Sequence, residues 1–147
     1  MDRPLKPTVM MAVSRLQRTW DRYIKSVARS LGIADPCVRI ILFLSHHPGA
    51  DQKRIAAFDD VTTAAVNRTV REMERDGYLR KEIDAADRRY TRLWLTEKGE
   101  TVADRLLQKL READALVTRE ISPETEDALV AVLDRITDRI REETPSC

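Results

Sequence analysis

Residues 62–77 read TTAAVNRTVREMERDG, and the spacing of the apolar residues in this stretch decides its structure. Val66, Val70 and Met73 recur at intervals of four and three, which places them on one face of a helix. Gly77 supplies a residue that tolerates the left-handed backbone conformation common at helix ends. The stretch therefore predicts an amphipathic helix with one buried face.

The face opposite these apolar positions is basic. At about 100° per residue, Arg68, Arg71 and Arg75 lie within about 40° of the line directly opposite Val66, together with the small Ala64. Arginine can form paired hydrogen bonds with guanine, asparagine can do so with adenine, and alanine or threonine can contact the thymine methyl group. One exposed arginine is ordinarily just solvated, but three arginines on the same face of a helix indicate a surface that binds nucleic acid.

The segment that follows, residues 78–96, reads YLRKEIDAADRRYTRLWLT and has the pattern of two strands. Residues 78–83 and 90–96 are rich in aromatic, β-branched and aliphatic residues, and the polar sequence DAADRR separates them. This pattern predicts a β-hairpin with a charged tip, which carries a second basic pair, Arg88 and Arg89.

Helical periodicity and boundary residues predict further helices on both sides of this segment. The predicted upstream helices cover approximately residues 8–30, 36–46 and 52–57. Downstream, one long helix ends near residue 121 and the last begins at Pro123. The predicted N-caps are Asp35, Asp51 and Ser122.

Three short helices followed by a two-stranded hairpin have the order of a winged helix-turn-helix, whose third helix lies in the DNA major groove. We therefore predict a mainly α fold (α+β), with residues 35–95 as the DNA-binding lobe. The long helices in residues 1–34 and 96–147 carry apolar stripes that a lobe of this size cannot cover. A second chain would cover them, so we expect these regions to form a dimerisation domain.

The predicted DNA-binding residues lie at the start of this third helix, along its outer face and at the hairpin tip. They are Thr62, Thr63, Ala64, Ala65, Asn67, Arg68, Arg71, Arg75, Asp87, Arg88 and Arg89. The N-terminal residues of a recognition helix reach base edges, whereas Arg75, further along, is expected to contact phosphate. The alternative is a winged-helix module that uses the same surface to bind protein.

The net charge of +1 conceals opposite charges at the two ends of the 147-residue chain. Residues 1–34 contain seven Lys/Arg and two Asp/Glu, whereas residues 96–147 contain eight Lys/Arg and thirteen Asp/Glu. The near-neutral total does not exclude DNA as a partner, because binding depends on where the cations lie.

Other classes of function find little support in the sequence. The longest apolar runs have five residues, against about 20 for a membrane span, and without a secretory pattern at the N-terminus a cytoplasmic location is expected. No Gly-rich phosphate loop, H-E-x-x-H or paired-cysteine motif occurs, so neither catalysis nor a cofactor is expected. His46 and His47 are nine and ten residues from Cys37, too far along one helix to share a metal ion.

Taken in order, the motifs resemble those of the MarR family of bacterial regulators. They are TTAAVNR at 62–68, MERDGYL at 73–79, DRR at 87–89 and LWLTEKG at 93–99. The resemblance implies a dimer on a pseudo-palindromic operator, with Arg89 in the minor groove and Asp87 holding it in position. It further implies a repressor that a small aromatic or phenolic ligand releases from DNA. Glu72 and Tyr78 depart from the family's more apolar pattern.

In that family the ligand binds at the junction between the dimer helices and the DNA-binding lobe. The residues here that match this place are Trp20, Tyr23 and Cys37. The alternatives are that Trp20 belongs to the dimer core and that Cys37 is a small buried residue. A cysteine-based redox response is a further alternative, in which Cys147 would resolve an oxidised Cys37. The peroxide-sensing branch carries its reactive cysteine near the start of the first helix, where this chain has none.

Overall fold

A computed structural model of the protein describes residues 6–59 and 61–143. Within these residues the elements are α1 (Val9–Ser30), α2 (Asp35–His46), α3 (Gln52–Asp59), α4 (Thr63–Arg75), β1 (Leu79–Ile83), β2 (Thr91–Leu95), α5 (Glu97–Thr118) and α6 (Pro123–Glu143). Their order, mainly helical with one two-stranded antiparallel sheet, confirms the predicted winged helix-turn-helix. The chain divides into two compact units, Met1–Gln108 and Lys109–Cys147.

Two of the predicted N-caps are present in the structure. The Asp51 carboxylate accepts a hydrogen bond from the Arg54 amide (2.9 Å) at the start of α3. The Ser122 hydroxyl accepts one from the Thr125 amide (3.3 Å) at the start of α6. Each bond pairs an amide that the first turn of a helix leaves without a partner.

The prediction that Asp35 caps α2 is wrong. The N-cap is Ala34, whose carbonyl accepts a hydrogen bond from the Cys37 amide (2.9 Å), and no side chain bonds at this cap. Asp35 is already the first residue of the helix, so Pro36 lies at the second helical position rather than the first. The Asp35 carboxylate still lies in the first turn, where the helix dipole favours a negative charge.

The core of the first unit forms where α2, α3, α4 and the sheet pack together. The largest fully buried side chains are Val38, Ile41, Leu44, Ile55, Val70, Met73, Leu79, Leu93 and Leu106. From α1, Val27 and Ala28 are buried, whereas Val9, Leu16 and Trp20 are exposed. The apolar stripe predicted along α1 is therefore fully covered within the single chain only near the C-terminal end of the helix.

The hairpin pairs β1 with β2 in antiparallel register, with Leu79 opposite Leu95. The connection between α2 and α3 also pairs with β2. The Gly49 amide donates to the Leu93 carbonyl (2.9 Å), and the Leu93 amide donates to the Ala50 carbonyl (3.0 Å). These two hydrogen bonds, which the sequence pattern did not predict, fix the hairpin to the helical part of the lobe.

The second unit contains the C-terminal part of α5 and all of α6. No described residue of α6 is buried in the single chain. The exposed apolar side chains of α6 include Leu129, Val130, Val132 and Ile140. An apolar surface of this kind on a helix is typical of a segment that packs against another protein.

Candidate nucleic-acid interface

Helix α4 has one buried and one basic face, as its sequence predicts. The buried side chains are Val66, Thr69, Val70 and Met73. The exposed ones include Arg68, Arg71 and Arg75. The Thr69 hydroxyl donates to the Ala65 carbonyl (3.3 Å), so its burial leaves no unpaired hydroxyl. The buried face anchors α4 to the lobe and leaves the basic face for a partner.

The first turn of α4 offers amide groups to an anion or to base edges. Thr62 is the N-cap, its hydroxyl accepts a hydrogen bond from the Ala65 amide (3.2 Å), and the first turn contains no acidic residue. Thr63 and Ala64 are exposed at this end, and Asn67 is half-buried. A helix N-terminus carries a partial positive charge, so this end of α4 is suited to contacts with DNA.

The three arginines of the basic face differ in their ion pairs. Arg68 lies 3.4 Å from the Glu72 carboxylate, and Arg75 lies 2.9 Å from that of Asp76. The hydrogen bond between Arg75 and Asp76 raises the pKa of the arginine and lowers that of the aspartate. Arg71 forms no ion pair with any other residue that the structure describes. A phosphate would therefore meet Arg71 without competition, whereas Arg68 and Arg75 would share it with a neighbouring carboxylate.

The hairpin tip presents Arg89 in a well-defined ion pair with Asp87. Arg89 Nε donates to Asp87 Oδ1 (3.0 Å), and a terminal guanidinium nitrogen donates to Oδ2 (2.8 Å). The Arg89 amide also donates to Oδ1 (3.0 Å). The Arg89 side chain lowers the pKa of Asp87 most, followed by the Arg89 amide, so both groups favour the ionised form of this carboxylate. Arg89 is 86% exposed despite the pair, and Arg88 beside it is exposed as well.

A second aspartate and arginine at the base of the tip were missed by the sequence analysis. Asp84 accepts hydrogen bonds from the amides of Ala86 (2.7 Å) and Asp87 (3.1 Å) and from Arg92 Nε (2.6 Å). The amide of Asp87, then the Arg92 side chain, lower the pKa of Asp84 most. An aspartate that accepts from amides two and three residues further on forms an Asx turn, and the spacing DAAD was the available signal.

The end of α4 is tied to the start of α5. The Thr96 hydroxyl donates to the Gly77 carbonyl (2.6 Å) and accepts from the Gly99 amide (3.1 Å), while Lys98 Nζ donates to the Asp76 carbonyl (2.7 Å). A Cβ atom at Gly99 would overlap the carbonyl oxygen of Tyr78, the residue before β1. The LTEKG sequence thus joins α4 to α5, and its threonine and glycine have distinct structural roles.

A cavity of about 420 Å³ lies between α1, α2 and the first half of α4. Its lining includes the apolar residues Ile24, Ile40 and Val66, and the cations Lys25 and Arg39. The carboxylate of Asp59 lies here too; burial raises its pKa, and the positive charge of Arg39 partly opposes this shift.

None of the three residues predicted to bind a ligand is among those that line this cavity. Trp20 and Tyr23 stack on each other with ring centroids 5.5 Å apart, and Trp20 is 41% exposed. They lie on α1 next to Asp21 and Ile24, which do line it. Cys37 is buried in α2.

The surroundings of Cys37 disfavour a reactive thiol. Burial raises the pKa of Cys37, and the Ala34 backbone lowers it by less. A protonated, buried thiol is a poor nucleophile. Cys147, the proposed resolving partner, lies outside the described residues. Within the described ranges, no group of three His, Cys, Asp or Glu side chains is arranged to hold a metal ion.

Comparisons with known proteins agree with this geometry. A family model described as "MarR family" matches residues 31–89. The HTH-type transcriptional regulator BilQ of Clostridium symbiosum is 24% identical over 114 residues, which cover 78% of this chain and 79% of that protein. No helix in the described part of the chain is long and apolar enough to cross a membrane.

Solved structures of transcriptional regulators and of a protein–DNA complex share the fold. A MarR family regulator from Silicibacter pomeroyi is 25% identical, with a TM-score of 0.76 and 88% of each chain covered. The complex of S. aureus MepR with DNA is 18% identical, with a TM-score of 0.82, and the match covers 90% of this chain and 96% of that one.

Proposed function

This chain belongs to the MarR family of winged-helix, DNA-binding transcriptional regulators, and from that premise we propose that it is a homodimeric repressor of a pseudo-palindromic operator. In this proposal α4 enters the major groove and the hairpin tip enters the minor groove. A small aromatic or phenolic ligand releases the protein from DNA. The family consists of transcriptional regulators, not enzymes, so we assign no catalytic role to any residue, and we propose that the protein acts in the cytoplasm.

The observation that carries the proposal is the division of α4 into a buried apolar face and an exposed face with three arginines. Thr62, Thr63, Ala64, Ala65 and Asn67 are assigned to base edges and nearby phosphates at the start of the helix. Arg68 reads sequence, whereas Arg71 and Arg75 neutralise phosphates. At the tip, Arg89 enters the minor groove with Asp87 supporting it, and Arg88 contacts the backbone.

Dimerisation is supported by the apolar side chains that the single chain leaves uncovered at both ends. Leu16 is 62% exposed in α1, Leu116 is 64% exposed in α5, and Leu129 is 50% exposed in α6. We assign residues 1–34 and 96–147 to the dimer and residues 35–95 to the DNA-binding lobe. Leu129→Asp should shift the sedimenting species from dimer toward monomer, whereas Thr137→Asp, which adds the same charge at an exposed polar position of α6, should not.

The ligand proposal is supported by the cavity beside α4. The lining combines apolar residues with the cations Lys25 and Arg39 and three aspartates, Asp21, Asp35 and Asp59. An aromatic ring would pack on the apolar part, and a phenolic hydroxyl would form hydrogen bonds with the charged groups. Because Val66 and Thr69 of α4 also line the cavity, a ligand there would contact the recognition helix directly. We place the ligand in this cavity, with Trp20 and Tyr23 next to it on α1.

The test is binding of the purified protein to DNA from its own upstream region, titrated against salt, with random DNA of equal length as competitor. A large preference for the upstream DNA is expected. Asn67→Ala and Arg68→Ala should change the preferred sequence as well as the affinity, whereas Arg89→Ala should weaken binding to every sequence. Equal weakening by all three variants on every sequence would contradict these roles, and no binding to upstream, random or selected DNA would contradict the function.

A further inference from the structure

The base of the hairpin tip contains a chain of hydrogen bonds that reaches the helical part of the lobe. Asp84 Oδ1 accepts from the amides of Ala86 and Asp87, while Oδ2 accepts from Arg92 Nε at 2.6 Å. The Arg92 guanidinium also donates to the Gly49 carbonyl (3.3 Å) in the connection between α2 and α3. The two carboxylate oxygens of Asp84 thus have separate roles, one toward the tip and one toward the lobe.

Gly49, at the end of this series of hydrogen bonds, is itself held in place. The Gly49 amide donates to the Leu93 carbonyl, and Gly49 packs so closely on the Trp94 ring that an added Cβ would lie 2.8 Å from it. Arg92 therefore bonds to a backbone position that cannot move independently of β2. Through Arg92, Asp84 is held to the sheet and to the connection between α2 and α3 at once.

Burial separates this pair from the ion pair at the tip. The side chains of Asp84 and Arg92 are 13% and 39% exposed, whereas those of Asp87 and Arg89 are 33% and 86% exposed. Ion pairs shielded from water hold their geometry better than open ones, because water and salt compete with them less. The shielded pair is suited to support, and the open pair is suited to contact with a partner.

We propose that Asp84 is a positioning residue for DNA binding, which fixes the tip through the amide of Asp87 so that Arg89 is held ready for the minor groove. The inference rests on the DNA-binding role proposed above and adds a residue to it. Asp84 does not touch DNA in this scheme. Its bond to the Asp87 amide orders the residue whose carboxylate holds Arg89, and an ordered tip loses less conformational entropy when DNA binds.

The first experiment measures order at the tip without DNA. Backbone ¹⁵N relaxation of the full-length protein should show higher mobility at residues 84–90 in Asp84→Ala. Asp84→Asn keeps an oxygen for the two amides but loses its charge, so the increase should be smaller. Glu82→Gln is the control on the same hairpin. Glu82 lies opposite Arg92 in the strand register but pairs with Arg80, so this substitution removes the same charge and leaves the hydrogen bonds of Asp84 in place. A tip as rigid in Asp84→Ala as in Glu82→Gln would overturn the proposal.

The second experiment measures affinity for a short duplex of scrambled sequence, since Arg89 is expected to act on every sequence. Asp84→Ala should bind about tenfold more weakly than Glu82→Gln, the size expected for one charge-assisted hydrogen bond, with a smaller salt slope. Combining Asp84→Ala with Arg89→Ala should weaken binding no further than Arg89→Ala alone. Losses that add in full would show that Asp84 acts independently of Arg89 and would overturn its positioning role.

The two proposals fail in different ways. A wild-type protein without affinity for DNA contradicts the proposed function, and the relaxation data then decide whether Asp84 orders the tip. A wild-type protein that binds DNA and loses affinity in Arg89→Ala, with Asp84→Ala unaffected, contradicts only the role of Asp84. Thermal unfolding of each variant verifies that it is folded, and Asp84→Asn provides the test if Asp84→Ala is not.

Discussion

Replacing Arg89 by alanine should change how DNA affinity depends on salt, and not just lower the affinity. Arg89 is 86% exposed and its guanidinium is already aligned by Asp87. A cation held in the minor groove lies close to the phosphates of both strands and displaces condensed counterions as a direct phosphate contact does, which contributes about 0.9 to the slope of log affinity against log salt. The proposed dimer has two tips, so the variant should lose about 1.8 from that slope.

The loss of slope predicts how the ratio of wild-type to variant affinity changes with salt. Between about 50 and 200 mM salt, a slope difference of 1.8 changes the ratio of wild-type to variant affinity about twelvefold. The variant should therefore be much weaker than the wild type at low salt and approach it at high salt. Fluorescence anisotropy with a labelled duplex at four or more salt concentrations gives the slope directly.

The matched control is Arg139→Ala. Arg139 is 78% exposed in α6, lies 3.7 Å from the Glu142 carboxylate, and has no assigned role in DNA contact. Its removal takes away the same charge and should leave the slope within error of the wild type. A slope for Arg89→Ala that equals the wild-type slope would refute the assignment of Arg89 to DNA, whatever the drop in affinity.

Three further predictions concern the lobe itself. Gly99→Ala should lower the free energy of unfolding by about 3 kcal/mol, because the added Cβ would overlap a backbone carbonyl. Gly77→Ala should lower it by only about 1 kcal/mol, because Gly77 has a φ of +77° but open space around it. Equal losses of stability for the two variants in urea unfolding would contradict this. Burial raises the pKa of Cys37, so in a variant without the other cysteine a thiol reagent at about pH 8 should label the native protein much more slowly than the unfolded chain. Arg89 lowers the pKa of Asp87 in the folded protein. The stabilisation from this pair is therefore complete above about pH 3.9, the pKa of an unperturbed aspartate, and is lost as the pH falls through the lower folded-state pKa. An NMR titration of the Asp87 carboxyl group with a midpoint at or above about 3.9 would disprove this prediction.

The parts of the fold that depend on local pattern could be predicted from the sequence. Val66, Val70 and Met73 define the buried face of α4 through periodicity alone, and all three are buried. Asp51 and Ser122 cap their helices because a capping bond involves residues only three apart. A helical period and a cap are properties of a few neighbouring residues, so no tertiary information is needed.

The misses have physical causes as well. The Asp35 prediction failed because proline is tolerated at either of the first two helical positions, and the rule assumed the first. The bond from Arg92 to the Gly49 carbonyl joins residues 43 apart, and no local pattern encodes it. The aromatic character of Trp20 predicts a ligand contact, but the cavity is formed by the packing of α1 against α2 and α4, which brings Asp21 and Ile24 to its lining.

The proposed release of DNA by a ligand can act through α4, because the first half of this helix lines the cavity and its C-terminal end is bonded to the start of α5. Ala65, Val66 and Thr69 in its first half line the cavity. Its C-terminal end is fixed to α5 through the bond from Lys98 to the Asp76 carbonyl and that from Thr96 to the Gly77 carbonyl. A helix of 13 residues with its buried face packed moves as one body. A ligand that displaces the first half of α4 must therefore also move the attachment of α4 to α5, and with it the basic face that we propose contacts DNA.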